Sequence, residues 1–235
     1  MQKYTAIILA SRDANEVNRL YIIYTLEQGL VKAVAKGVRK PAAKLAGHLE
    51  PGTLTEIYVA RSRGMGQITG AITLENFENI KKDFEKLTEA LKIFLFFLKN
   101  FSEGVGDKKV FDLLHDFLGT LNFASAECLR IIVESFWWKL FDILGNRPEV
   151  MKCVACKEKL AEKSKKFFSI EKGGIICSGC GPNFKELISI SDNQIKLLRI
   201  FWGNSLEKTA KVKVSGAELA KLAKIREIYA RYHFV

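Results

Sequence analysis

Four of the five cysteines form two Cys-x2-Cys pairs, and this pattern has the most definite chemistry in the chain. The pairs are Cys153 with Cys156 and Cys177 with Cys180, and twenty residues separate them. Each Cys-x2-Cys turn brings two thiolates within reach of one ion, and two turns together supply the tetrahedral sulfur set that suits Zn²⁺. Four protein ligands leave no open coordination position. The sequence therefore predicts one structural Zn²⁺ rather than a catalytic metal.

Three other uses of paired cysteines remain open, namely a redox dithiol, a disulfide and an iron–sulfur cluster. Lasting disulfides are rare in the cytosol, and no thioredoxin-like βαβ pattern surrounds either pair, so zinc is favoured. Glycines beside the second pair predict the positive-φ turns of a zinc knuckle; they are Gly173, Gly174, Gly179 and Gly181. Nearby lysines are expected to offset the negative charge of zinc held by four thiolates; they are Lys152, Lys157 and Lys159.

No other pattern indicates catalysis. The three histidines, His48, His115 and His233, lie far apart in the sequence. The chain contains no His-Glu-x-x-His, Gly-x-Ser-x-Gly or Walker A motif. We therefore expect a protein that is not an enzyme.

The positive charge predicts a polyanionic partner, because the 235 residues include 37 Lys and Arg against 26 Asp and Glu. The excess is uneven: residues 1–80 have 10 basic and 7 acidic side chains, residues 81–150 have 10 and 11, and residues 151–235 have 17 and 8. Nucleic acid is the most common partner of such surfaces. A lysine-rich surface that serves only solubility is the other interpretation, and charge alone does not separate DNA from RNA or an acidic membrane.

The elements that must position these residues follow from hydrophobic periodicity. Short runs rich in Ile, Val, Thr and Tyr predict five strands, at residues 5–10, 20–26, 31–35, 53–60 and 67–74. Five strands in this length fit a small barrel, either an oligonucleotide/oligosaccharide-binding (OB) fold or an SH3-like barrel. Apolar residues at three- and four-residue steps predict helices over 84–98, 110–121 and 129–144. Capping-box sequences at 191–194 and 215–218 predict two more.

The predicted fold class is therefore α+β with several domains, an OB-like barrel followed by a helical domain that carries a four-cysteine zinc insert. The predicted boundaries are 1–80 for the barrel, 81–150 for the first helices, 151–185 for the insert and 186–235 for the last helices. No stretch reaches about 18 apolar residues, and the apolar run at 6–10 is shorter than that of a secretory signal. We expect a cytoplasmic protein without a membrane segment.

Residues 29–41, GLVKAVAKGVRKP, and 45–51, LAGHLEP, are similar to a specific segment of the bacterial RecO family, GLV-AVAKGARKP…LAGHLQP. The order of barrel, helices and four-cysteine insert also resembles that family over essentially the whole chain. The resemblance implies a non-enzymatic protein of recombinational repair that acts at the nucleoid, binds single- and double-stranded DNA and anneals complementary strands. It also implies that RecR is a partner in loading RecA onto strands coated by single-stranded DNA-binding protein, whose acidic C-terminal tail is contacted. Whether a RecF-like protein is required stays open.

Basic residues of the barrel segment are the expected phosphate contacts; they are Arg19, Lys36, Arg39, Lys40, Lys44, Arg61 and Arg63. Three tyrosines either stack on bases or pack inside the barrel; they are Tyr21, Tyr24 and Tyr58. Lys196 and Arg199, with Lys221, Lys224 and Arg226, are expected either to rim an apolar groove for the acidic tail or to be an ordinary solvated surface. Two other functions remain as alternatives, an RNA-binding or ribosome-associated zinc protein and a protein-interaction scaffold.

Overall fold

Alternating apolar residues build a closed five-stranded barrel at the N-terminus. The structure is a computed structural model that describes residues 1–40, 43–60, 65–162 and 164–234. The strands are β1 Gln2–Asp13, β2 Arg19–Thr25, β3 Gly29–Ala35, β4 Leu54–Ala60 and β5 Gly66–Glu75. They pair in the order β1-β2-β3-β5-β4, and β4 returns to β1 to close the barrel. Only the β3–β5 pair is parallel. The OB-like barrel that the sequence predicts is confirmed.

The barrel interior is filled by every second residue of each strand, as the period of two requires. Tyr21 and Ile23 of β2 face Val31, Ala33 and Ala35 of β3 in this core. The neighbouring residues therefore point outward. This alternation decides which side chains of β2 and β3 can meet a ligand and which cannot.

Three helices belong to the same unit as the barrel, which spans Met1–Phe123. They are α1 Glu78–Lys82, α2 Phe84–Asn100 and α3 Lys108–Phe123. Asp83 caps α2, since its side chain accepts hydrogen bonds from the N–H groups of Glu85 and Lys86. The connection between α2 and α3 approaches the β2–β3 hairpin so closely that a Cβ atom on Gly29 would lie 2.0 Å from the carbonyl oxygen of Val105.

The second unit, Ala124–Val235, combines helices with a small sheet. Its elements are α4 Ala126–Ile143, β6 Lys166–Ser169, β7 Gly174–Cys177, β8 Ile188–Ile190, α5 Asp192–Gly203, α6 Leu206–Ala210 and α7 Gly216–His233. The strands pair in the order β7-β6-β8. Its core is aromatic, because Trp138 and Phe141 of α4 contact Tyr229 of α7, and Trp138 also contacts Phe168 of β6.

The predicted helix starts are found at Ser191 and Ser215, but only the first has both halves of a capping box. Ser215 accepts a hydrogen bond from the N–H of Glu218, as expected. The Glu218 carboxylate instead accepts from the Ser191 hydroxyl, at 3.0 and 3.1 Å, and so connects α7 to the start of α5.

The division of the helices between the two units differs from a single helical domain, because α1 to α3 lie with the barrel. The predicted boundaries near residues 80, 150 and 185 stay a prediction.

Among the described residues, no helix has both the length and the apolar character needed to cross a membrane.

Candidate metal centre and nucleic-acid interface

The four predicted cysteine ligands come together at one place in the second unit. Their sulfur atoms all lie within 4.8 Å of one another, and the Sγ atoms of Cys156 and Cys177 are 3.9 Å apart. Tetrahedral zinc with Zn–S bonds of about 2.3 Å requires sulfur atoms about 3.8 Å apart. No disulfide joins these cysteines. The donor set therefore fits a tetrahedral metal site, as the spacing in the sequence predicts.

Backbone hydrogen bonds tie the first cysteine pair to the strand that ends in the second pair. The N–H of Val154 donates to the carbonyl of Ile175 in β7, at 2.8 Å, and the N–H of Cys177 donates to the Cys153 sulfur, at 3.4 Å. Gly174 permits this close approach, since a Cβ there would lie 2.6 Å from the carbonyl oxygen of Glu149. The site is thus preformed by the local fold.

The turn geometry corrects one expectation about the glycines of the second pair. Gly173 has the predicted positive φ, +61°, but Gly174, Gly179 and Gly181 do not lie in the left-handed region. The left-handed residue of the knuckle is Lys157, with φ of +66°, directly after the first pair. Gly181 serves a packing role instead, because a Cβ there would lie 3.0 Å from the ring of Phe167.

The environments of the thiols differ. Burial alone would raise the pKa of Cys153, but hydrogen bonds from the backbone N–H groups of Cys177, Cys156 and Ala155 together lower it to about 6. Hydrogen bonding with the Cys177 and Cys156 thiols raises the pKa of Cys180 to about 12. The three predicted lysines are exposed, with Lys152 and Lys159 paired by a β-bridge, and Lys157 Nζ donates to the Val154 carbonyl.

One end of the barrel brings together predicted phosphate contacts from β2 and from the segment after β3. The register places Asp13 opposite Arg19, and Arg19 opposite Ala35, so the end of β1, the start of β2 and the end of β3 meet there. Arg39 lies at the same end because its N–H donates to the Val17 carbonyl, at 3.2 Å. We name this surface the cationic end; its basic residues are Arg12, Arg19, Lys36, Arg39 and Lys40, and Lys44 follows Ala43, whose N–H donates to the Lys40 carbonyl.

Within the cationic end, Asp13 contacts two arginines, whereas the lysines are exposed and unpaired in the described parts of the chain. Arg19 Nε lies 3.0 Å from Asp13 Oδ1, and Arg39 Nη1 lies 3.3 Å from Asp13 Oδ2. The hydrogen bond to Asp13 is the main cause that raises the pKa of Arg19. Lys36, Lys40 and Lys44 are exposed, and none has an ion-pair partner in the described parts of the chain. These charges are available to an external anion.

Sequence reasoning missed Arg12, because the predicted first strand stops at residue 10 and β1 continues to Asp13. The register places the exposed Arg12 opposite Leu20, on the outer face of the barrel. Unbroken alternation from Tyr4, Ala6 and Ile8 would have pointed Arg12 inward, but a β-bulge between Ile8 and Ala10 turns its side chain outward. Arg61 and Arg63, also predicted contacts, lie outside the described residues.

Two of the three candidate tyrosines are packing residues rather than stacking platforms. Tyr21 belongs to the barrel core, and Tyr24 is fully buried, with its ring 5.0 Å from Phe97 and 5.4 Å from Phe101. Tyr58 is half-buried and donates a hydrogen bond to the Glu56 carboxylate.

The residues predicted to rim a tail groove have different environments. Arg199 Nη2 donates to the carbonyl of Val150, and Arg226 Nε lies 3.0 Å from the buried Glu134 carboxylate. Leu197 and Leu222 are buried in the core. The three lysines of the set are exposed; they are Lys196, Lys221 and Lys224. The groove stays a prediction.

These features define a class of protein, an α+β chain that joins an OB-like barrel with a cationic end to a helical unit with a four-cysteine metal site. Comparison with known families assigns the chain more closely. Residues 1–77 match the family model described as Recombination protein O N terminal, and residues 70–234 match Recombination protein O C terminal. The chain belongs to the RecO family, and the predicted resemblance is confirmed.

Three relatives, each named DNA repair protein RecO, are similar over nearly the full chain. The Dehalococcoides mccartyi protein is 32% identical over 94% of this chain and 85% of its own length. The Roseiflexus protein is 30% identical over 97% of this chain and 79% of its own length. The Desulforamulus reducens protein is 28% identical over 98% of this chain and 89% of its own length.

Proposed function

We propose that this chain is a mediator of recombinational DNA repair that binds single- and double-stranded DNA through the cationic end of its barrel and anneals complementary strands. The cationic end is the observation that carries the proposal. Its Lys and Arg side chains come from three separate segments of the chain, and those segments, as far as the structure describes them, hold two acids, Asp13, which is already paired, and Glu16. Membership in a family whose relatives are named as DNA repair proteins supports DNA as the polyanion.

The chemistry of annealing explains why such a surface is needed. Two complementary strands repel each other through their phosphates, so a protein that joins them must neutralise charge on both. OB barrels bind single strands with a basic groove that follows the backbone. The cationic end supplies one such surface, and the excess of basic residues over 151–235 supplies charge for a second.

In this proposal the protein is not an enzyme, and the four cysteines hold one structural Zn²⁺. The residues that would hold the ion are Cys153, Cys156, Cys177 and Cys180. Zinc would supply cross-links between the turn before β6 and the end of β7, with no role in bond breaking. RecR and the acidic tail of single-stranded DNA-binding protein are the proposed partners in loading RecA, with RecF as a functional link.

Strand annealing tests the proposal directly. Complementary oligonucleotides, bare or coated with the cognate single-stranded DNA-binding protein, are mixed with the full chain, and annealing is followed by fluorescence transfer. We expect acceleration of both reactions, and RecR should promote RecA loading on the coated strands. Absence of DNA binding at low salt would contradict the proposal and favour a protein-interaction scaffold.

Two further measurements address the alternatives. In competition between RNA and DNA strands of the same sequence, we expect DNA to compete at least as well as RNA. Preference for RNA would favour an RNA-binding zinc protein. A labelled strand incubated with the chain and Mg²⁺ should stay intact, and cleavage would contradict the non-enzymatic assignment.

A further inference from the structure

An acid lies at the centre of the cationic end, where a surface built for a polyanion would be expected to exclude one. We propose that Asp13 is a positioning residue that holds Arg19 and Arg39 side by side, so that the two guanidinium groups together bind one backbone phosphate of a DNA strand. The inference rests on the proposed function. It adds a specific phosphate clamp to a surface otherwise described by charge alone.

One carboxylate oxygen of Asp13 faces each arginine, with a hydrogen bond from Arg19 and an ion-pair contact with Arg39. Its Oδ1 faces Arg19 Nε at 3.0 Å, and its Oδ2 faces Arg39 Nη1 at 3.3 Å. Arg39 Nη1 also donates to the Asn15 carbonyl, at 3.0 Å. These contacts do not use all the N–H donors of a guanidinium group, so donors remain on both arginines for a phosphate.

The backbone below the clamp is held by its own hydrogen bonds. Asn18 Oδ1 accepts from the N–H of Gly37, at 2.9 Å, and the Val17 carbonyl accepts from the N–H of Arg39. Asn15 Oδ1 accepts from the N–H groups of Val17 and Asn18. Hydrogen bonds therefore join the loop after β1 to the loop after β3. They hold the backbones of Arg19 and Arg39 at a fixed distance from each other.

Preorganisation explains why an acid is useful here. A long arginine side chain loses rotamer freedom when it binds, and this loss weakens affinity. A carboxylate that already orders two arginines removes part of that loss before DNA arrives. Its own repulsion for phosphate is offset because both of its oxygens face guanidinium groups. Simple charge arithmetic and positioning therefore predict opposite effects of removing Asp13.

The test compares Asp13→Asn with Glu16→Gln in the full chain. Both substitutions remove one negative charge from the same end of the barrel, but the exposed Glu16 has no ion-pair partner among the described residues. Binding of a fluorescein-labelled oligothymidylate is measured by anisotropy over a range of salt concentrations. We expect Asp13→Asn to weaken binding about tenfold, because two arginine side chains must then be ordered when DNA binds, and Glu16→Gln to leave it equal or tighter. Tighter binding by both variants would overturn the inference.

A second background shows whether Asp13 acts through the arginines. In a chain with Arg19→Ala and Arg39→Ala, Asp13→Asn should strengthen binding, because the carboxylate then only repels phosphate. Weakening in this background as well would assign Asp13 a structural role and reject the clamp. Asp13→Glu keeps the charge, and we expect it to recover part of the affinity.

The outcomes of these experiments distinguish failure of the clamp from failure of the proposed function. If Arg19→Ala and Arg39→Ala leave DNA binding unchanged, the clamp fails; if binding also stays unchanged when Lys36→Ala and Lys40→Ala are added, the cationic end is not the DNA surface, and both proposals fail. If the arginine substitutions weaken binding while Asp13→Asn strengthens it, only the clamp fails. Thermal unfolding of each variant confirms that the barrel is intact in the comparison.

Discussion

The ring of Tyr24 lies edge-on against the ring of Phe97, with their centroids 5.0 Å apart. Tyr24 projects from the outer face of β2, and α2 and α3 cover it completely. Lys32, on the outer face of β3, is paired with Glu103 at 2.8 Å. Other parts of the same chain thus cover the outer face of β2 and β3 near the hairpin that joins these strands. A nucleic acid that approaches β2 and β3 is expected at the opposite end, where Lys36 lies.

Lys36→Ala should weaken single-stranded DNA binding, and Lys32→Ala should not. The two lysines lie four residues apart on one strand and its extension, and each substitution removes one charge, so the pair controls for net charge. Loss of one phosphate contact lowers the slope of log K against log salt by about 0.7 for a single strand. Equal slopes for the two variants would mean that the covered half of the face also binds DNA.

Arg39→Ala combined with Lys40→Ala should weaken binding to a similar extent across DNA sequences. Two lost phosphate contacts lower the salt slope on duplex DNA by about 1.8, and titrations at several salt concentrations measure it. Lys82→Ala combined with Lys92→Ala is the matched control, because both lysines are exposed and lie on α1 and α2. A slope unchanged in the first variant would remove this loop from the binding surface.

Cys177→Ser should abolish stoichiometric zinc and expose residues 151–185 to protease. Structural Zn²⁺ contributes about 10–16 kcal/mol of binding free energy, part of which is lost with one ligand. Mass spectrometry under native conditions measures the metal, and limited proteolysis locates the opened segment. Cys128→Ser is the control, since Cys128 is not in the cluster. A metal-free chain with unchanged protease resistance would contradict the structural role of the site.

Lys196→Glu should reduce annealing and RecA loading on coated strands while sparing annealing of bare DNA. Lys196 is exposed, whereas Arg199 donates to the Val150 carbonyl, so reversing the charge of Arg199 would also disturb the fold. Lys208→Glu, on the neighbouring helix α6, changes the net charge equally and serves as control. Equal loss on bare and coated strands would place Lys196 in a DNA-binding surface instead of a tail groove.

Glu134→Gln should destabilise the second unit by about 3 kcal/mol, because it leaves the Arg226 guanidinium without its buried counter-charge. Denaturant unfolding followed by tryptophan fluorescence measures this, since all three tryptophans lie in that unit. Glu227→Gln removes only an exposed contact at 3.5 Å, and we expect an effect below about 1 kcal/mol. Equal effects of the two substitutions would show that burial of the Glu134 pair contributes nothing.

Local spacing made much of the architecture predictable from the sequence. The hydrophobic periodicity of a strand or helix is visible in its own residues. Two Cys-x2-Cys pairs likewise show all four candidate metal ligands in two short segments. The five strands, the long helices and the cysteine cluster were therefore foreseeable. The family segment around Gly37 likewise depends only on consecutive residues.

The tertiary structure alone decided which of these residues act together. The Asp13 clamp needs Arg19 across a strand pair and Arg39 from a later loop, and Tyr24 is buried by helices that begin sixty or more residues further along the chain. The exposed position of Arg12 depends on how far β1 pairs with β2. Burial and charge pairing are set by contacts between distant segments, and no local period encodes such contacts. The sequence by itself thus determined the elements and the cysteine cluster, while long-range packing decided which charges remain without an ion-pair partner.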